Sequence, residues 1–204
     1  MSAYLVANNH LTGFEGKAAV YRARVTEIAV GFGGRFLLRG TPMQVLEGQF
    51  LARQRNVVSF WRDAAALEAF WFSDVYQNET KPTRAGTSVN DVGLFAGESD
   101  PPPPGGSEVY MLVLAQLVGA PAAAYGKAVA ALLPRYGGRY LVRGAPQKAL
   151  EGEWLSRMRV VVSVWPSLAA ATDFWNSDAY QKETKPLRDG SGVYDVALFT
   201  PEIV

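Results

Sequence analysis

The chain has 204 residues, 49% of them hydrophobic, which is enough to bury the core of one large domain or of two small ones. Its 20 basic and 19 acidic residues leave a net charge of +1, so we expect no nucleic acid among its partners. The lack of cysteine and the single histidine exclude disulfides, a cysteine nucleophile, and thiolate or multi-histidine metal sites within one chain. We expect neither a bound metal nor a cofactor.

The hydrophobic pattern predicts six elements in each half of the chain, in the order βαββαβ, which is the ferredoxin-like pattern. Two glycines follow the first helix of each half and are typical of a helix end. The predicted elements of the first half are Tyr4–Leu11, Lys17–Val30, Arg35–Arg39, Val57–Trp61, Ala64–Phe72 and Val89–Phe95. Those of the second half are Tyr110–Val118, Ala122–Leu133, Arg139–Arg143, Val160–Trp165, Leu168–Asn176 and Val193–Phe199.

The two halves of the sequence repeat each other. Tyr21–Phe95 aligns with Tyr125–Phe199 without a gap, and about half of the aligned residues are identical. A segment rich in proline and glycine separates the copies, as is typical of a linker. We therefore predict a first repeat at 1–96, a linker at 97–107 and a second repeat at 108–204.

No part of the sequence has the pattern of a secretion signal or a membrane span. The N-terminus lacks a basic stretch followed by an apolar one, and no apolar run approaches the roughly 20 residues that cross a bilayer. We expect a cytoplasmic protein that has no membrane partner.

The predicted sheet of each half needs a cover on one face. In a βαββαβ unit both helices pack on the same face of a four-stranded sheet and leave the other face bare. A second copy related by a pseudo-two-fold axis would cover that face. The sequence therefore predicts an α+β protein in which two ferredoxin-like repeats form an intramolecular pseudo-dimeric α/β barrel or two-sheet sandwich, with a cleft between the sheets.

A nine-residue motif, here called the repeated phrase, is FGGRFLLRG at 32–40 and YGGRYLVRG at 136–144, and it contains two arginines in each copy. It lacks the Gly-Lys-Ser/Thr ending of a phosphate-binding loop and precedes a strand, so we interpret its glycines as a turn. Strand alternation predicts that both arginines of a copy share one face, toward the cleft or its rim. A glutamate follows at the start of the next strand.

Two interpretations of these charged residues stay open. They form ion pairs that hold the two halves in register, because buried charges at such an interface must be paired. Alternatively they bind the carboxylate or phenolate of a substrate, since guanidinium offers a planar pair of donors. The residues concerned are Arg35, Arg39, Arg139, Arg143, Glu47 and Glu151.

His10 is the only imidazole, and it aligns with Gln116 of the second copy. Alternation along the first strand puts Asn8 and His10 on the same face as Tyr4. If that face lines the cleft, His10 is a candidate base for a phenol, enol or α-carbon proton, and Asn8 a candidate group to stabilise the resulting charge. A structural or surface histidine is the alternative interpretation.

Tyr76 and Tyr180 follow the second helix of each copy, beside a tryptophan. Packing in the core is the simpler interpretation of these aromatic side chains. The ring face and hydroxyl of a tyrosine also suit the mouth of a small-molecule pocket. Tyr76 and Tyr180 are therefore included among the candidate substrate-binding residues.

The repeated motifs resemble those of a known family. With YGGRYLVRG, LEG, an apolar strand ending in Trp, and FWNSDAYQ, the sequence resembles the DUF1330 family of the dimeric α/β-barrel superfamily over nearly all of each half. The first copy departs from the pattern at Asn8, Asn9 and His10 and at Phe72, which replaces the asparagine of FWNSDAYQ. The resemblance implies the ferredoxin-like fold and a sheet-lined cleft, and relatives of this architecture include cofactor-free oxygenases, small isomerases, lactone-processing enzymes and haem-degrading monooxygenases.

Two hypotheses about function follow. The first is a small-molecule enzyme without a bound metal, an isomerase, cyclase or cofactor-free oxygenase, acting on an aromatic or enolisable anion between the sheets with His10 as base. The second is a non-catalytic module that binds a small ligand or assembles with itself. A small molecule is the expected partner in the first case, and further homo-oligomerisation is compatible with both.

Overall fold

The computed structural model describes residues 1–13, 15–118 and 123–202. Each half has the predicted ferredoxin-like pattern with one additional short strand in its middle. Ala122 and Val204, the predicted ends of the second long helix and of the second repeat, lie outside the described residues. No helix in the described part of the chain is long and apolar enough to cross a membrane.

The bounds of the elements agree with the predictions to within a few residues. The first half contains β1 (Ala3–Leu11), α1 (Glu15–Gly31), β2 (Arg35–Gly40), β3 (Gln44–Glu47), β4 (Arg55–Trp61), α2 (Ala64–Trp71) and β5 (Ser88–Ala96). The second half contains β6 (Val109–Leu117), α3 (Ala123–Leu132), β7 (Arg139–Gly144), β8 (Lys148–Glu151), β9 (Arg159–Trp165), α4 (Leu168–Asn176) and β10 (Gly192–Phe199).

The two halves exchange their additional strands. The first sheet has the order β2-β4-β1-β5-β8 and the second the order β3-β10-β6-β9-β7, with antiparallel pairing. The short strand β3 of the first half therefore forms an edge of the second sheet, and β8 forms an edge of the first. Each five-stranded sheet is complete only when both halves are folded.

Apolar side chains from both sheets fill the space between them. Tyr4 and Val6 of β1 belong to the same buried cluster as Tyr110 and Leu112 of β6, and each is at most 2% exposed. The predicted orientation of this face of β1 is correct, but the prediction of an open cleft is wrong. Burying two apolar faces against each other is strongly favourable, so the sheets pack together and remain two separate sheets.

The outer face of each sheet packs against helices. Gly33 ends the turn after α1 with a φ of +83°, in agreement with the interpretation of the glycines as a helix end. Gly34 has a different role, because a Cβ atom there would lie 2.5 Å from the ring of Trp61. The absence of a side chain at Gly34 therefore leaves room for the buried ring of Trp61.

A β-bulge changes the direction of the arginines in the repeated phrase. The pairing of β2 with β4 slips between Phe36 and Leu38, so Leu37 is an extra residue. An extra residue reverses the alternation of the strand beyond it. Arg35 lies near the core between the sheets, whereas Arg39 lies on the helix side over the ring of Phe36. The prediction that the two arginines share a face is wrong, and β7 has the same bulge.

Ion pairs join the two halves beside the exchanged strands. Arg84 donates two hydrogen bonds to Glu151 of the other half, at 3.0 and 2.6 Å. Arg188 donates one to Glu47, at 2.5 Å. The interpretation of Glu47 and Glu151 as partners in ion pairs between the halves is correct in kind. Their partners are Arg84 and Arg188, which the sequence analysis did not single out.

We expect Glu151→Ala to lower the free energy of unfolding by about 3 to 5 kcal/mol, because it leaves the Arg84 guanidinium, whose side chain is 8% exposed, without its carboxylate. Urea unfolding followed by tryptophan fluorescence measures the change. Glu47→Ala is the matched variant in the other half and should have a similar effect. A loss below about 1 kcal/mol in both variants would contradict a structural role for these pairs.

Candidate functional site

Two cavities lie between the sheets and their helices in the described part of the chain. The first cavity, of about 950 Å³, lies between the first sheet and the helices α1 and α2. The second cavity, of about 420 Å³, lies at the equivalent place in the second half. Neither is between the two sheets, so the candidate site is on the opposite face of the sheet from the predicted one.

The first cavity is lined mainly by apolar side chains. Leu5 and Ala7 contribute to its floor, because odd-numbered residues of β1 face away from the other sheet. Its walls include Trp61, Phe70 and Trp71, of which the first two rings stack at 4.9 Å. Such a surface suits a flat, apolar compound.

Arg39 brings a positive charge into the wall of the first cavity. Its side chain is only 7% exposed. Nη1 donates a hydrogen bond to Thr26 Oγ1 at 2.8 Å, and the guanidinium lies 3.6 Å from the centre of the Phe36 ring. The nearest carboxylate oxygen belongs to Glu202, 3.5 Å from Nε, and comes from the C-terminal segment of the other half.

The guanidinium of Arg39 is not fully hydrogen-bonded. Nε and Nη2 are buried and have no hydrogen-bond partner among the described residues. Burial lowers the pKa of Arg39 below its ordinary value, although Glu202 opposes this shift. Nε faces the Glu202 carboxylate at 3.5 Å without a hydrogen bond, and both atoms are donors that an anionic group could use.

A pair of tyrosines and a second arginine line another part of the same cavity. The hydroxyls of Tyr21 and Tyr76 are hydrogen-bonded at 3.1 Å, and Arg84 lies 5.4 Å from the Tyr21 ring. Burial, with a smaller effect of Tyr21, raises the pKa of Tyr76 well above its ordinary value. Tyr76 therefore keeps its proton, and it lies in a buried position instead of at a pocket mouth.

The second cavity has the same frame with different polar groups. Tyr180 and Tyr125 form the equivalent hydroxyl pair at 3.1 Å. Arg143, the counterpart of Arg39, is exposed and donates to Glu98 at 2.8 Å. The ring of Tyr194 lies 3.9 Å from the guanidinium of Arg188. Nε and Nη1 of Arg188 are buried without a hydrogen-bond partner among the described residues, but Arg188 is paired with Glu47, is covered by Tyr194 and does not line the cavity.

Two predicted site residues lie away from both cavities. His10 is exposed at the end of β1 and lines neither cavity. Asn8 is 5% exposed and donates to Asn56 Oδ1 at 2.8 Å. Asn56 in turn donates to backbone carbonyls, so Asn8 is part of a network that holds the chain between β3 and β4.

The arginines before the bulges also lie elsewhere. Arg35 donates to the carbonyl of Pro102 at 2.8 Å, and Arg139 donates to Ser99 Oγ at 2.9 Å and to the carbonyl of Asp100. Both therefore bind the segment that connects the two halves. Of the predicted residues, Arg39 and Tyr76 line the first cavity. Glu151 does not line it but is hydrogen-bonded to Arg84, which does.

Several residues of the first cavity were missed by the sequence analysis. Tyr21 and Arg84 are identical in both copies, and this identity is the feature of the sequence that could have pointed to them. Thr26 and Asn90 differ from their counterparts, Ala130 and Tyr194, and difference between copies was the other signal. No group of three or more acidic, histidine or cysteine side chains suited to a metal ion occurs in the described ranges.

Two antiparallel sheets packed face to face, with helices and cavities on their outer faces, define a protein of the dimeric α/β-barrel class in which both subunits are fused. The chain belongs to the family "Domain of unknown function (DUF1330)", whose model matches residues 2–97 and again 109–200. The tandem repeat is thereby confirmed. A comparison with curated proteins finds no match.

Solved structures share this fold at low sequence identity. A candidate monooxygenase from Fusobacterium nucleatum subsp. nucleatum superimposes with a TM-score of 0.64 and 8% identity, covering 98% of this chain and 92% of that one. A candidate monooxygenase from Lactobacillus acidophilus NCFM gives 0.58 and 12%, covering 98% and 93%. An anthrone oxidase-like protein gives 0.57 and 13%, covering 98% and 92%. These likenesses establish the fold.

The ion pair behind the first cavity should make stability depend on pH. Burial raises the pKa of Glu151, but Arg84 and Lys81 outweigh it, so the net pKa is below the ordinary value. The contribution of Glu151 to stability is then complete above the unfolded pKa of about 4.3 and is lost as the pH falls through the lower folded value. We expect Glu151→Gln to weaken the loss of stability below about pH 4.3, measured by urea unfolding at several pH values. An unchanged pH dependence would contradict this.

Proposed function

We propose that the chain is a small-molecule enzyme and that the first cavity is its active site, taking a largely apolar, anionic compound such as an aromatic enolate, phenolate or carboxylate. The observation that carries this proposal is the buried Arg39 guanidinium, with two nitrogen atoms that make no hydrogen bond among the described residues, in the wall of an apolar cavity. The proposal moves the site from the space between the sheets to the space under the helices.

The chemistry of the lining supports an anion with an aromatic or other apolar body. The apolar floor and the tryptophan walls favour rings, whereas Nε and Nη2 of Arg39 favour an oxygen that carries negative charge. Because the Arg39 side chain is only 7% exposed, such a charge-assisted hydrogen bond is stronger there than at the surface. One of the Tyr21 and Tyr76 hydroxyls donates to the other, which leaves one O–H as a donor for a second oxygen of the same ligand.

An enolisable substrate would use these groups as follows. Loss of a proton from a carbon beside the carbonyl leaves the electron pair on an enolate, whose oxygen Arg39 stabilises. Glu202 has the nearest carboxylate to Arg39 and is the candidate acceptor of that proton. Return of the proton to another carbon is an isomerisation. In an oxygenation the enolate carbon forms a C–O bond to molecular oxygen, its electron pair reduces the oxygen to a peroxide anion, and the proton held by Glu202 converts that anion into a hydroperoxide. The names of the structural neighbours, two candidate monooxygenases and an anthrone oxidase-like protein, agree with the second of these reactions.

We expect Arg39→Met to weaken the binding of anthracene-2-carboxylate by about tenfold to a hundredfold, since it removes a charge-assisted hydrogen bond worth about 1.5 to 3 kcal/mol. Isothermal titration calorimetry measures the change. Anthracene-2-carboxamide is the neutral control ligand, and its affinity should change little. Arg62→Met, at an arginine whose side chain is 81% exposed, is the matched control variant. Equal affinities of wild type and Arg39→Met for the carboxylate would overturn the proposed site.

Turnover is tested separately with anthrone, whose C10 protons are lost on enolisation. We expect the protein to accelerate their exchange for deuterium, followed by NMR under nitrogen, and Arg39→Met to abolish the acceleration. His10→Ala should leave it unchanged, because His10 is exposed and lines neither cavity. Loss of exchange in His10→Ala would favour His10 as the base instead. Binding without any acceleration would favour a non-catalytic ligand-binding module.

A further inference from the structure

We propose that the first half binds a ligand and that the second half is closed to it. We further propose that side-chain differences at two positions cause this difference in binding. The positions are Thr26 against Ala130 and Asn90 against Tyr194. The inference rests on the proposed function, because it concerns the ligand of the first cavity. It predicts one ligand per chain from a protein built of two similar halves.

The residues that the two cavities share cannot account for a difference in ligand binding between them. The arginine after the bulge, the tyrosine pair and the tryptophans are the same in both halves. The ion pair with the glutamate of the exchanged strand is also present on both sides. A difference in binding must therefore come from residues that the copies do not share.

The first such difference is Asn90 against Tyr194. Tyr194 lies in the second cavity, where its hydroxyl is 2.7 Å from Ser191 Oγ and its ring covers Arg188. Asn90 is shorter and is hydrogen-bonded back to Ser88. Arg84 lines the first cavity, whereas Arg188 does not line the second. Tyr194 thus occupies space in the second cavity and shields Arg188 from it. Asn90 leaves the equivalent space open and leaves Arg84 in the lining of the first cavity.

The second difference, Thr26 against Ala130, acts on the arginine after the bulge. The Thr26 hydroxyl accepts a hydrogen bond from Arg39 and keeps the guanidinium in the cavity wall. Alanine at position 130 has no hydroxyl, and Arg143, which also lines its cavity, is 44% exposed and bonded to Glu98. The Thr26 hydroxyl therefore accompanies a buried arginine with two nitrogen atoms that make no hydrogen bond, whereas its absence accompanies a half-exposed arginine that donates to a carboxylate.

Together the two differences give the first half a larger cavity and two accessible guanidinium groups. The additional methyl groups of Val113, which replaces Ala7 in the second half, narrow the second cavity further. An apolar anion should bind in the first half alone. The second half then serves as a structural partner that completes the first sheet and supplies Glu202 to the first cavity.

Isothermal titration calorimetry with anthracene-2-carboxylate gives both the stoichiometry and the affinity. For the wild-type protein we expect one ligand per chain. Asn90→Tyr should weaken binding at least tenfold and still fold, because the second half accommodates tyrosine at the same position. Asn90→Ser, which keeps a small polar side chain, is the matched control and should stay within about threefold of the wild type.

The reciprocal variant tests a gain of binding. Ala130→Thr combined with Tyr194→Asn should raise the stoichiometry from one to two ligands per chain. Adding Arg143→Met to that double variant should return it to one. A circular dichroism melt of each variant shows that the fold is intact.

The possible outcomes separate the two proposals. Two ligands bound to the wild type, unchanged affinity in Asn90→Tyr, or one ligand bound to a folded double variant would each overturn this inference. The proposed function would survive all three outcomes as long as binding depends on Arg39. Failure of the wild type to bind the carboxylate would overturn both proposals.

Discussion

The exchange of an edge strand between the two halves is the constraint on which the rest of the structure depends. β3 completes the second sheet and β8 the first, so neither sheet is whole in an isolated half. The exchange holds the sheets face to face and commits the inner faces of both to one buried core. A cavity for a ligand must then lie on the outer faces, under the helices, where both cavities are found.

Fusion of the two halves into one chain allows them to become different. In a symmetric dimer every substitution appears twice, so a tyrosine that fills one cavity also fills the other. Here Asn90 and Tyr194 occupy equivalent positions with opposite effects on the space beside them. The halves still depend on each other, since the first cavity takes Glu202 from the second half and the second takes Glu98 from the linker. Specialisation of one half has therefore not made the other dispensable.

The fold could be predicted because the repeat and the alternation of apolar residues are visible along the sequence, whereas the site depended on features that are not. The bulge at Leu37 adds one residue to β2, and nothing in the pattern RFLLR reveals it. Alternation separates the two faces of β1, but it does not reveal that side chains of the other sheet fill the space beside one of them. The cleft predicted next to His10 is therefore absent. Arg39 and Glu202 are distant in the sequence and meet only because the C-terminal segment crosses to the other half.

The strand exchange also bears on how chains assemble during folding. A strand that leaves its own half to complete a neighbouring sheet can do so within one chain or between two chains. The connection between β5 and β6 is short, and tethers of this kind give an effective concentration in the millimolar range. At micromolar protein concentration each half therefore finds its own partner. Intertwined dimers with reciprocally shared sheets would require a protein concentration that approaches this millimolar range.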